Sequence, residues 1–438
     1  MNADDLIFTV QPGGCLQGEA RVPGDKSISH RSIMLGALAE GTTTVSGFLE
    51  GEDSLATLRA FQAMGVDIEG PRDGKVVIHG VGMHGLHAPA ADLDLGNSGT
   101  SMRLLAGLLA GQAFDTCLTG DASLSKRPMA RVTKPLAEMG ARVETAADGT
   151  PPLRVHGGQP LHGIDYVMPV ASAQVKSCLL LAGMYADGQT CVTEPAPTRD
   201  HTERMLAGFG YPVERDGARV CIQGGGALTA TQIDVPADIS SAAFFLVGAS
   251  IATGSDLTLR HVGINPTRIG VLNILRDMGA DIELSNERTV GGEPVADMRV
   301  RAAALRGIRI PEDQVPLAID EFPALFVAAA CAEGETVLTG ARELRVKESD
   351  RIQVMADGLV ALGADARPTE DGMILRGGTL HGGEVHAHGD HRIAMAFAMA
   401  ALRADGPVVI HDCANVNTSF PGFVDLAGRL GLAIAAGD

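Results

Sequence analysis

The phrase MGVDIE at residues 64–69 returns along the chain in altered form. The related phrases are MGARVE (139–144), FGYPVE (209–214), MGADIE (278–283), LGADAR (362–367) and LGLAI (430–434). Their glycines stand at positions 65, 140, 210, 279, 363 and 431, so successive copies are 75, 70, 69, 84 and 68 residues apart. These spacings are longer than those of solenoid repeats and are closer to small folding units. The sequence therefore predicts six units of similar size.

Each unit contains an apolar helix, a β-branched strand and an amphipathic helix that ends on the repeated phrase. Beyond their first turns the apolar helices carry almost no polar face, which is typical of helices buried on every side. Strands such as TTTVSGF at 42–48 are rich in β-branched residues. The apolar helices lie within residues 27–41, 98–111, 172–188, 239–254, 320–334 and 391–406.

Six units are too many for one compact core, so we expect an α/β fold with two domains of three units each. Helices buried on all sides imply that the sheets pack outside them. Residues 1–21 contain strand segments without a helix of their own, and we expect them to complete the sheet of the second domain. The predicted domains are residues 22–235, and residues 1–21 together with 236–438.

The composition excludes several classes of protein. The formal net charge of −18 disfavours nucleic acid and acidic membrane partners, and no apolar run is long enough to span a bilayer. Asp4 and Asp5, with no basic residue before Arg21, do not form a secretory signal. Seven scattered cysteines without a CxxC pair argue against a disulfide framework and a zinc finger. We expect a cytoplasmic monomer without nucleic acid or membrane partners.

Unusual polar residues gather in the first turns of the apolar helices and just before them. Helix N-termini bind anions, because their N–H groups are unpaired and the helix dipole is positive there. Capping alone explains Ser and Asp at these places, but it does not explain Arg31, Arg103 and Arg392, since cations are disfavoured there unless an anion neutralises them. The loops 120–129 and 342–351 add further cations at matching points of two units. The pattern predicts an anion-binding site.

Two other motifs were weighed against this interpretation. GDKS at 24–27 lacks the upstream glycine of a nucleotide-binding phosphate loop. His386, His388, Asp390 and His391 match the HxHxDH spacing of dinuclear metallohydrolases. However, the motif lies close to the C-terminus, and it occupies the point of the repeat at which the five other units carry polar turns without metal ligands. We therefore expect no metal.

The phrases PGDKSISHR, LGNSGTSMR, GDASLSKRPM, SAQVKS, DHTE, DEFP, RVKESDR and GDHRIAM follow one another over nearly the whole chain. Together they closely resemble the 5-enolpyruvylshikimate-3-phosphate synthase (3-phosphoshikimate 1-carboxyvinyltransferase) family, in its class II branch. The resemblance implies an inverse α/β barrel of six βαβαββ repeats, three per domain, which close over the substrates. It also implies transfer of the enolpyruvyl group of phosphoenolpyruvate to the 5-hydroxyl of shikimate 3-phosphate, releasing phosphate in the pathway to chorismate and aromatic amino acids. No cofactor or metal is implied.

The resemblance also implies residue roles, with shikimate 3-phosphate on the first domain and phosphoenolpyruvate and the catalytic carboxylates on the second. Asp320 is the expected base, Glu348 the acid, and Lys26 a bridge between both substrates, although which of them acts in each step stays open. The expected ligands of shikimate 3-phosphate are Ser27, Arg31, Ser172, Ala173, Gln174, Thr198 and Asp320. Those of phosphoenolpyruvate are Gly99, Arg127, Lys347, Arg351 and Arg392, and Asn97 is counted with the binding residues.

The sequence departs from the class I pattern at a few positions. Thr418 or Ser419 stands where class I members carry a lysine, so we expect Lys176 or another cation to compensate. Gly99 keeps the small residue that glyphosate-tolerant class II members replace by alanine, and we expect competitive inhibition by glyphosate. The alternatives are UDP-N-acetylglucosamine enolpyruvyl transferase, which would show a catalytic cysteine in the loop 120–129, and a non-catalytic anion-binding repeat scaffold.

Overall fold

A computed structural model describes residues 6–437; Asp4 and Asp5 lie outside them. The helices are α1 (Lys26–Leu38), α2 (Glu52–Ala63), α3 (Gly99–Ala110), α4 (Ala130–Glu138), α5 (Ala173–Gly183), α6 (His201–Gly208), α7 (Ile239–Ile251), α8 (Gly270–Asp277), α9 (Phe322–Cys331), α10 (Arg351–Ala361), α11 (His391–Ala400), α12 (Val416–Ser419) and α13 (Phe423–Leu430). Short 3₁₀ helices occupy Leu124–Lys126, Glu312–Gln314, Arg342–Val346 and Ala401–Arg403. Every helix of the described chain is too short or too polar to cross a membrane.

The strands are short and are spread along the whole described chain. They are β1 (Ile7–Val10), β2 (Gln17–Ala20), β3 (Ala39–Ser46), β4 (Asp67–Arg72), β5 (Lys75–Val81), β6 (Leu93–Asp94), β7 (Thr116–Thr119), β8 (Arg142–Glu144), β9 (Leu153–His156), β10 (Asp165–Val167), β11 (Gln189–Thr193), β12 (Glu214–Asp216), β13 (Arg219–Gln223), β14 (Leu228–Thr229), β15 (Gln232–Asp234), β16 (Asp256–Gly263), β17 (Asp281–Val290), β18 (Glu293–Arg301), β19 (Glu335–Leu338), β20 (Asp365–Pro368), β21 (Met373–Arg376), β22 (Gly383–His386), β23 (Val408–His411) and β24 (Ile434–Gly437).

The chain divides into two compact units. The N-terminal unit contains residues 24–235 and 290–293, and the C-terminal unit contains the described parts of 1–23, 236–289 and 294–438. The sequence predicts domain boundaries near Arg21 and Pro236. The observed boundaries follow Pro23 and Val235, and residues 290–293, where β17 turns into β18, belong to the N-terminal unit.

Three sheets belong to the N-terminal unit. Their strand orders are β14-β3-β5-β4, with β15 also paired to β3, then β6-β7-β9-β8 and β10-β11-β13-β12. In the second sheet β6 and β7 are parallel, and in the third sheet β10 and β11 are parallel. In each pair an apolar helix connects the two strands along the chain, and the next pairing in the sheet is antiparallel. In the first sheet β14 and β15, which come late in the unit, supply the parallel partner of β3.

The C-terminal unit also has three sheets, ordered β17-β18-β16-β2, β19-β21-β20 and β22-β23-β1-β24. The N-terminal strands β1 and β2 both pair within this unit. β2 lies parallel to β16, and β1 lies antiparallel between β23 and β24. Residues from the start of the sequence therefore complete two of its sheets.

The six apolar helices α1, α3, α5, α7, α9 and α11 are buried on nearly every side, as the sequence predicted. In α7 every residue from Ile239 to Ile251 is buried. The amphipathic helices behave differently. In α4, for example, Val132 and Leu136 are buried, whereas Arg131 and Lys134 on the other side are exposed. The two helix types thus differ in environment as they differ in composition.

The six repeated glycines all adopt a left-handed backbone conformation at the ends of the second helices. Their φ angles are 91° at Gly65, 93° at Gly140, 81° at Gly210, 94° at Gly279, 85° at Gly363 and 114° at Gly431. Glycine is favoured there because a side chain at positive φ contacts the following carbonyl. The apolar residue before each glycine is buried. The repeated phrase is thus a helix stop combined with a core anchor.

One disulfide corrects the expectation from the cysteine spacing. Cys191 and Cys221 occupy directly opposite positions on the antiparallel strands β11 and β13, and their sulfur atoms are bonded. Cys15, Cys117, Cys178, Cys331 and Cys413 are free. The expectation was wrong because strand pairing joins two cysteines 30 residues apart, a relationship that cysteine spacing alone does not reveal.

Candidate functional site

The start of α1 carries the first group of expected site residues. Asp25 caps the helix by accepting a hydrogen bond from the Ile28 N–H. Lys26 follows directly, and its Nζ lies 2.7 Å from Oδ2 of Asp53 in α2. The lysine expected to bridge both substrates therefore has a carboxylate partner, which sequence analysis missed. A signal was present, since Asp53 lies in the first turn of an amphipathic helix, where acidic residues are favoured.

Arg31 lies one turn further along α1 and is almost wholly buried. Its Nε donates to the Thr202 hydroxyl at 2.7 Å, one terminal nitrogen donates to the Ser177 hydroxyl at 2.8 Å, and the other donates to the Ser27 carbonyl at 2.9 Å. These partners are neutral. Burial lowers the pKa of Arg31 to about 10, against the opposing effect of the Glu203 charge. An anionic ligand would therefore be strongly attracted to this guanidinium.

Asn97, Gly99 and Arg127 lie together at the start of α3. An Arg127 terminal nitrogen donates to the Asn97 side-chain oxygen at 2.7 Å. A Cβ atom added to Gly99 would lie 2.9 Å from a terminal nitrogen of Arg103 and 3.1 Å from one of Arg127. The missing side chain thus leaves room for the two guanidinium groups beside the helix N-terminus. Such an arrangement suits an anion.

The start of α5 is joined to α3 by hydrogen bonds. Arg103 donates to the Gln174 side-chain oxygen at 2.8 Å, and the Gln174 amide donates to the Thr100 hydroxyl at 3.1 Å. Ser172 caps α5 by accepting a hydrogen bond from the Val175 N–H, and Ala173 is the first helical residue. The capping role of Ser172 therefore accompanies whatever ligand role it has.

Thr198 and Lys176 are both engaged inside the N-terminal unit. The Thr198 hydroxyl donates to Oε2 of Glu194 at 2.5 Å, and a hydroxyl has only one hydrogen to donate. The Lys176 side chain is completely buried, and its Nζ lies 3.0 Å from Glu194 and 2.7 Å from Glu203. These buried ion pairs favour another cation over Lys176 as the replacement for the class I lysine, and that replacement stays a prediction.

In the C-terminal unit, Arg351 joins three carboxylates. It donates to Asp320 at 3.3 Å, to Glu348 at 2.6 Å, and through Nε to Asp390 at 2.8 Å. The Arg351 side chain is only 1% exposed. Burial by itself lowers the pKa of Arg351, but the charges of Asp390, Glu348 and Asp320 outweigh burial and raise it. The expected base and acid are thus held by one guanidinium.

Two further expected residues complete this group. Lys347 Nζ lies 3.5 Å from Oδ1 of Asp320. Arg392 donates to the Asp320 carbonyl at 3.1 Å and lies 3.9 Å from Glu321. All five residues expected in the C-terminal unit therefore lie together. Glu348 is the most exposed of the five, with a side chain that is 27% exposed.

Asp390 also belongs to this group, although the sequence pointed to it only through the HxHxDH motif. It caps α11 by accepting from the Arg392 N–H, and it accepts from Arg351 and from the Ser349 hydroxyl at 3.1 Å. His386 of the HxHxDH motif stacks on His411 instead, with 4.7 Å between the ring centres. Within residues 6–437, no three His, Cys, Asp or Glu side chains are arranged to hold a metal ion.

Comparisons with known proteins agree on one family. The sequence model for EPSP synthase (3-phosphoshikimate 1-carboxyvinyltransferase) matches residues 10–426. The chain belongs to this family. It is 74% identical to the 3-phosphoshikimate 1-carboxyvinyltransferase of Methylococcus capsulatus over 99% of both chains, and 73% identical to that of Alkalilimnicola ehrlichii over 99% of this chain and 97% of the relative. A solved EPSP synthase structure from Acinetobacter baumannii has a TM-score of 0.90 and 61% identity, covering 99% of this chain and 100% of the other.

Membership of the EPSP synthase family establishes the general activity. The chain is a carboxyvinyltransferase of the shikimate pathway, as the sequence motifs predicted. Neither alternative is favoured, since these relatives are named for this activity and match the chain over nearly their full length. The mixed α/β architecture also matches the solved EPSP synthase structures.

Proposed function

We propose that the chain transfers the enolpyruvyl group of phosphoenolpyruvate to the 5-hydroxyl of shikimate 3-phosphate through Asp320, Glu348 and Lys26. The observation that carries the proposal is the grouping of Asp320 and Glu348 on one buried guanidinium, with Lys347 and Arg392 beside them. The reaction needs one group to accept a proton and another to donate one. Two carboxylates among cations supply those groups.

The proposed reaction has an addition step and an elimination step. In the addition, Asp320 accepts the proton of the 5-hydroxyl while the hydroxyl oxygen bonds to C2 of phosphoenolpyruvate, and Glu348 donates a proton to C3. The bond between C2 and the phosphate oxygen of the tetrahedral adduct then breaks, the proton held by Asp320 passes to the departing phosphate, and C3 returns a proton to Glu348, which restores the double bond. Lys26 neutralises charge on both substrates. The cations stabilise the negative charges of the bound ligands.

The remaining residues bind the substrates in this proposal. Ser27 and Arg31 hold the carboxylate of shikimate 3-phosphate, Gln174 covers its ring, and Asp320 receives its hydroxyls. Its phosphate is bound by Ser172, Ala173 and Thr198; the Thr198 hydrogen must then leave Glu194, or the backbone makes the contact. Phosphoenolpyruvate is bound through its phosphate by Arg127, Lys347 and the Gly99 backbone, beside Asn97, and through its carboxylate by Arg351 and Arg392.

Charge supports these roles with one refinement. The bound pair carries roughly −5 to −6, counting about −1.5 to −2 for each phosphate. This negative charge is smaller than the total positive charge of seven cations, which are Lys26, Arg31, Arg103, Arg127, Lys347, Arg351 and Arg392. Asp53, Asp320, Glu321, Glu348 and Asp390 already lie within ion-pair distance of four of them. Substrate carboxylates must therefore compete with protein carboxylates, most directly at Arg351.

The assay that tests the proposal is phosphate release from phosphoenolpyruvate with shikimate 3-phosphate or UDP-N-acetylglucosamine as the acceptor. We expect phosphate release when the acceptor is shikimate 3-phosphate and no release when it is UDP-N-acetylglucosamine. Release with the nucleotide sugar alone, or with neither acceptor, would contradict the proposal. Because the sequence contains no Trp, a coupled assay is preferable to intrinsic fluorescence.

We also propose the finer description of the fold and of the protein's state. Within each unit the three buried helices form the centre and the three sheets the outside, an inverse α/β barrel of βαβαββ repeats; contacts of α7 and α11 with α9 and of α3 with α5 support this. The first three repeats supply most ligands of shikimate 3-phosphate, and the last three carry the catalytic carboxylates and bind phosphoenolpyruvate together with Gly99 and Arg127. The enzyme is proposed to be a cytoplasmic monomer and a glyphosate target. Light scattering at the monomer mass of 45.3 kDa tests the oligomeric state.

A further inference from the structure

A fully buried ion cluster lies inside the N-terminal unit. It consists of Lys176 in α5, Glu194 just after β11, and Glu203 in α6. The three side chains are 0%, 1% and 6% exposed, and both carboxylates lie within 3.0 Å of the ammonium group. Buried charges are costly to desolvate even when they are paired, so such a cluster is poorly explained as a device for stability. Its surroundings indicate another purpose.

One side of the cluster lies directly behind the residues proposed to bind the phosphate of shikimate 3-phosphate. Lys176 is one helical turn from Ser172, and its N–H donates to the Ser172 carbonyl at 3.1 Å. Glu194 accepts the hydrogen of the Thr198 hydroxyl at 2.5 Å. A carboxylate in contact with a phosphate-binding residue repels the phosphate unless a cation neutralises it.

The other side of the cluster lies behind Arg31. The residues next to Lys176 and Glu203 in the sequence, Ser177 and Thr202, both accept hydrogen bonds from the Arg31 guanidinium, at 2.8 and 2.7 Å. Thr202 also donates to Ser177 at 2.7 Å. The helices α5 and α6 therefore carry two of the three cluster residues as well as the side chains that orient Arg31.

We propose that Lys176 is a positioning residue for shikimate 3-phosphate, which neutralises Glu194 and Glu203 and so allows a phosphate to bind beside Ser172 and Thr198. The inference rests on the proposed function. A phosphate of charge about −1.5 to −2 would otherwise approach two buried negative charges. With Lys176 present, the three side chains carry one net negative charge, which the half-exposed Arg215, 3.8 Å from Glu194, helps to offset.

The test compares the affinity of the full-length Lys176→Met variant for shikimate 3-phosphate and for shikimate, which lacks the phosphate, by calorimetry. Because the phosphate would then approach uncompensated like charges, we expect the Kd for shikimate 3-phosphate to rise at least ~10-fold. The Kd for shikimate should change much less. Lys134→Met, which removes an exposed lysine of the same unit, is the control and should leave both affinities unchanged.

A second variant distinguishes charge from packing. Lys176→Met combined with Glu194→Gln and Glu203→Gln removes the cation together with both carboxylates, and we expect it to recover most of the lost affinity. If Lys176→Met alone does not fold, the triple variant replaces it in the test. Affinity of the triple variant for shikimate 3-phosphate within ~3-fold of wild type, a difference below 1 kcal/mol, then supports the proposal. Equal loss for shikimate and shikimate 3-phosphate, or no recovery in a folded triple variant, overturns it. Failure of the wild-type protein to bind shikimate 3-phosphate would instead contradict the proposed function.

Discussion

Arg351 donates a 2.6 Å hydrogen bond to Glu348, three residues before it in the chain. The same guanidinium also contacts Asp320 and Asp390, so its hydrogens are shared among three carboxylates. A substrate carboxylate that binds Arg351 must displace one of them. Glu348 is the most exposed of the three, so it is the carboxylate that we expect to be released for proton transfer.

Glu348→Gln should therefore reduce catalysis and leave substrate binding largely intact. Glutamine keeps the shape and an oxygen that Arg351 can contact, but it has no acidic proton to donate to C3. We expect kcat to fall by ~10²- to 10⁴-fold, the usual contribution of a general acid. Steady-state assays of phosphate release measure it, with Glu343→Gln in the preceding 3₁₀ helix as the control. A variant that retains more than about a tenth of the wild-type kcat would contradict this role.

Gly99→Ala should weaken phosphoenolpyruvate binding and weaken glyphosate binding more. The new methyl group would lie 2.9 Å from Arg103 and 3.1 Å from Arg127, so both guanidinium groups would have to shift. Overpacking typically costs 1–3 kcal/mol, which corresponds to ~5- to 150-fold in an inhibition constant. Inhibition measured at several phosphoenolpyruvate concentrations gives the constants. Unchanged glyphosate inhibition in the variant, or inhibition of the wild type that does not compete with phosphoenolpyruvate, would contradict the proposal.

Gly210→Ala and Gly208→Ala should change stability in opposite directions, although the residues are two positions apart. Gly210 has a φ of 81°, whereas Gly208 lies in α6, and an added Cβ would meet no atom within 3.8 Å at either position. Alanine at positive φ costs about 1–2 kcal/mol. Alanine in a helix gains about 0.5–1 kcal/mol over glycine. Urea denaturation tests both, and equal effects would show that backbone conformation does not explain the repeated phrase.

His30 should make the protein less stable at mildly acidic pH. Burial, reinforced by the charges of Lys26 and Arg31, holds the pKa of His30 well below 6.5. As the pH falls below about 6.5 the unfolded chain binds a proton that the folded chain does not, so stability decreases by up to ~1.4 kcal/mol per pH unit until the folded pKa is reached. Urea midpoints between about pH 7 and pH 5 measure the slope. His30→Gln should show a smaller slope, and the exposed His87→Gln should not.

Reduction of the Cys191–Cys221 disulfide should destabilise the protein. The bond closes a loop with a sequence separation of 30. The chain-entropy treatment gives about 3–4 kcal/mol for a loop of this size. Thiol labelling in denaturant should count five free cysteines before reduction and seven after it. Seven reactive thiols in the unreduced protein would show that the bond is absent, and Cys117→Ser is a control that should not change stability by this amount.

The sequence was most informative where local chemistry decides the structure. The burial of α7 and the left-handed glycines such as Gly210 depend on residues close together in the chain, and they were predictable. The pairs Lys26–Asp53 and Lys176–Glu203 depend on how distant helices pack, 27 residues apart in each case. Neither composition nor spacing specifies such partners. The motifs named the five expected residues of the C-terminal unit that the structure brings together, but they did not show that Arg351 already holds three carboxylates.

The position of β1 between β23 and β24 has a consequence for synthesis on the ribosome. β1 must wait for its partner Ile434–Gly437, which is translated more than 400 residues later. At about 5–20 residues per second this delay is roughly 20–90 s. Residues 24–235 are continuous and can fold meanwhile. β1 thus has neither of its partners until β23 and then β24 have been made, and a product that lacks β24 would leave one edge of this apolar strand open to chaperones and proteases.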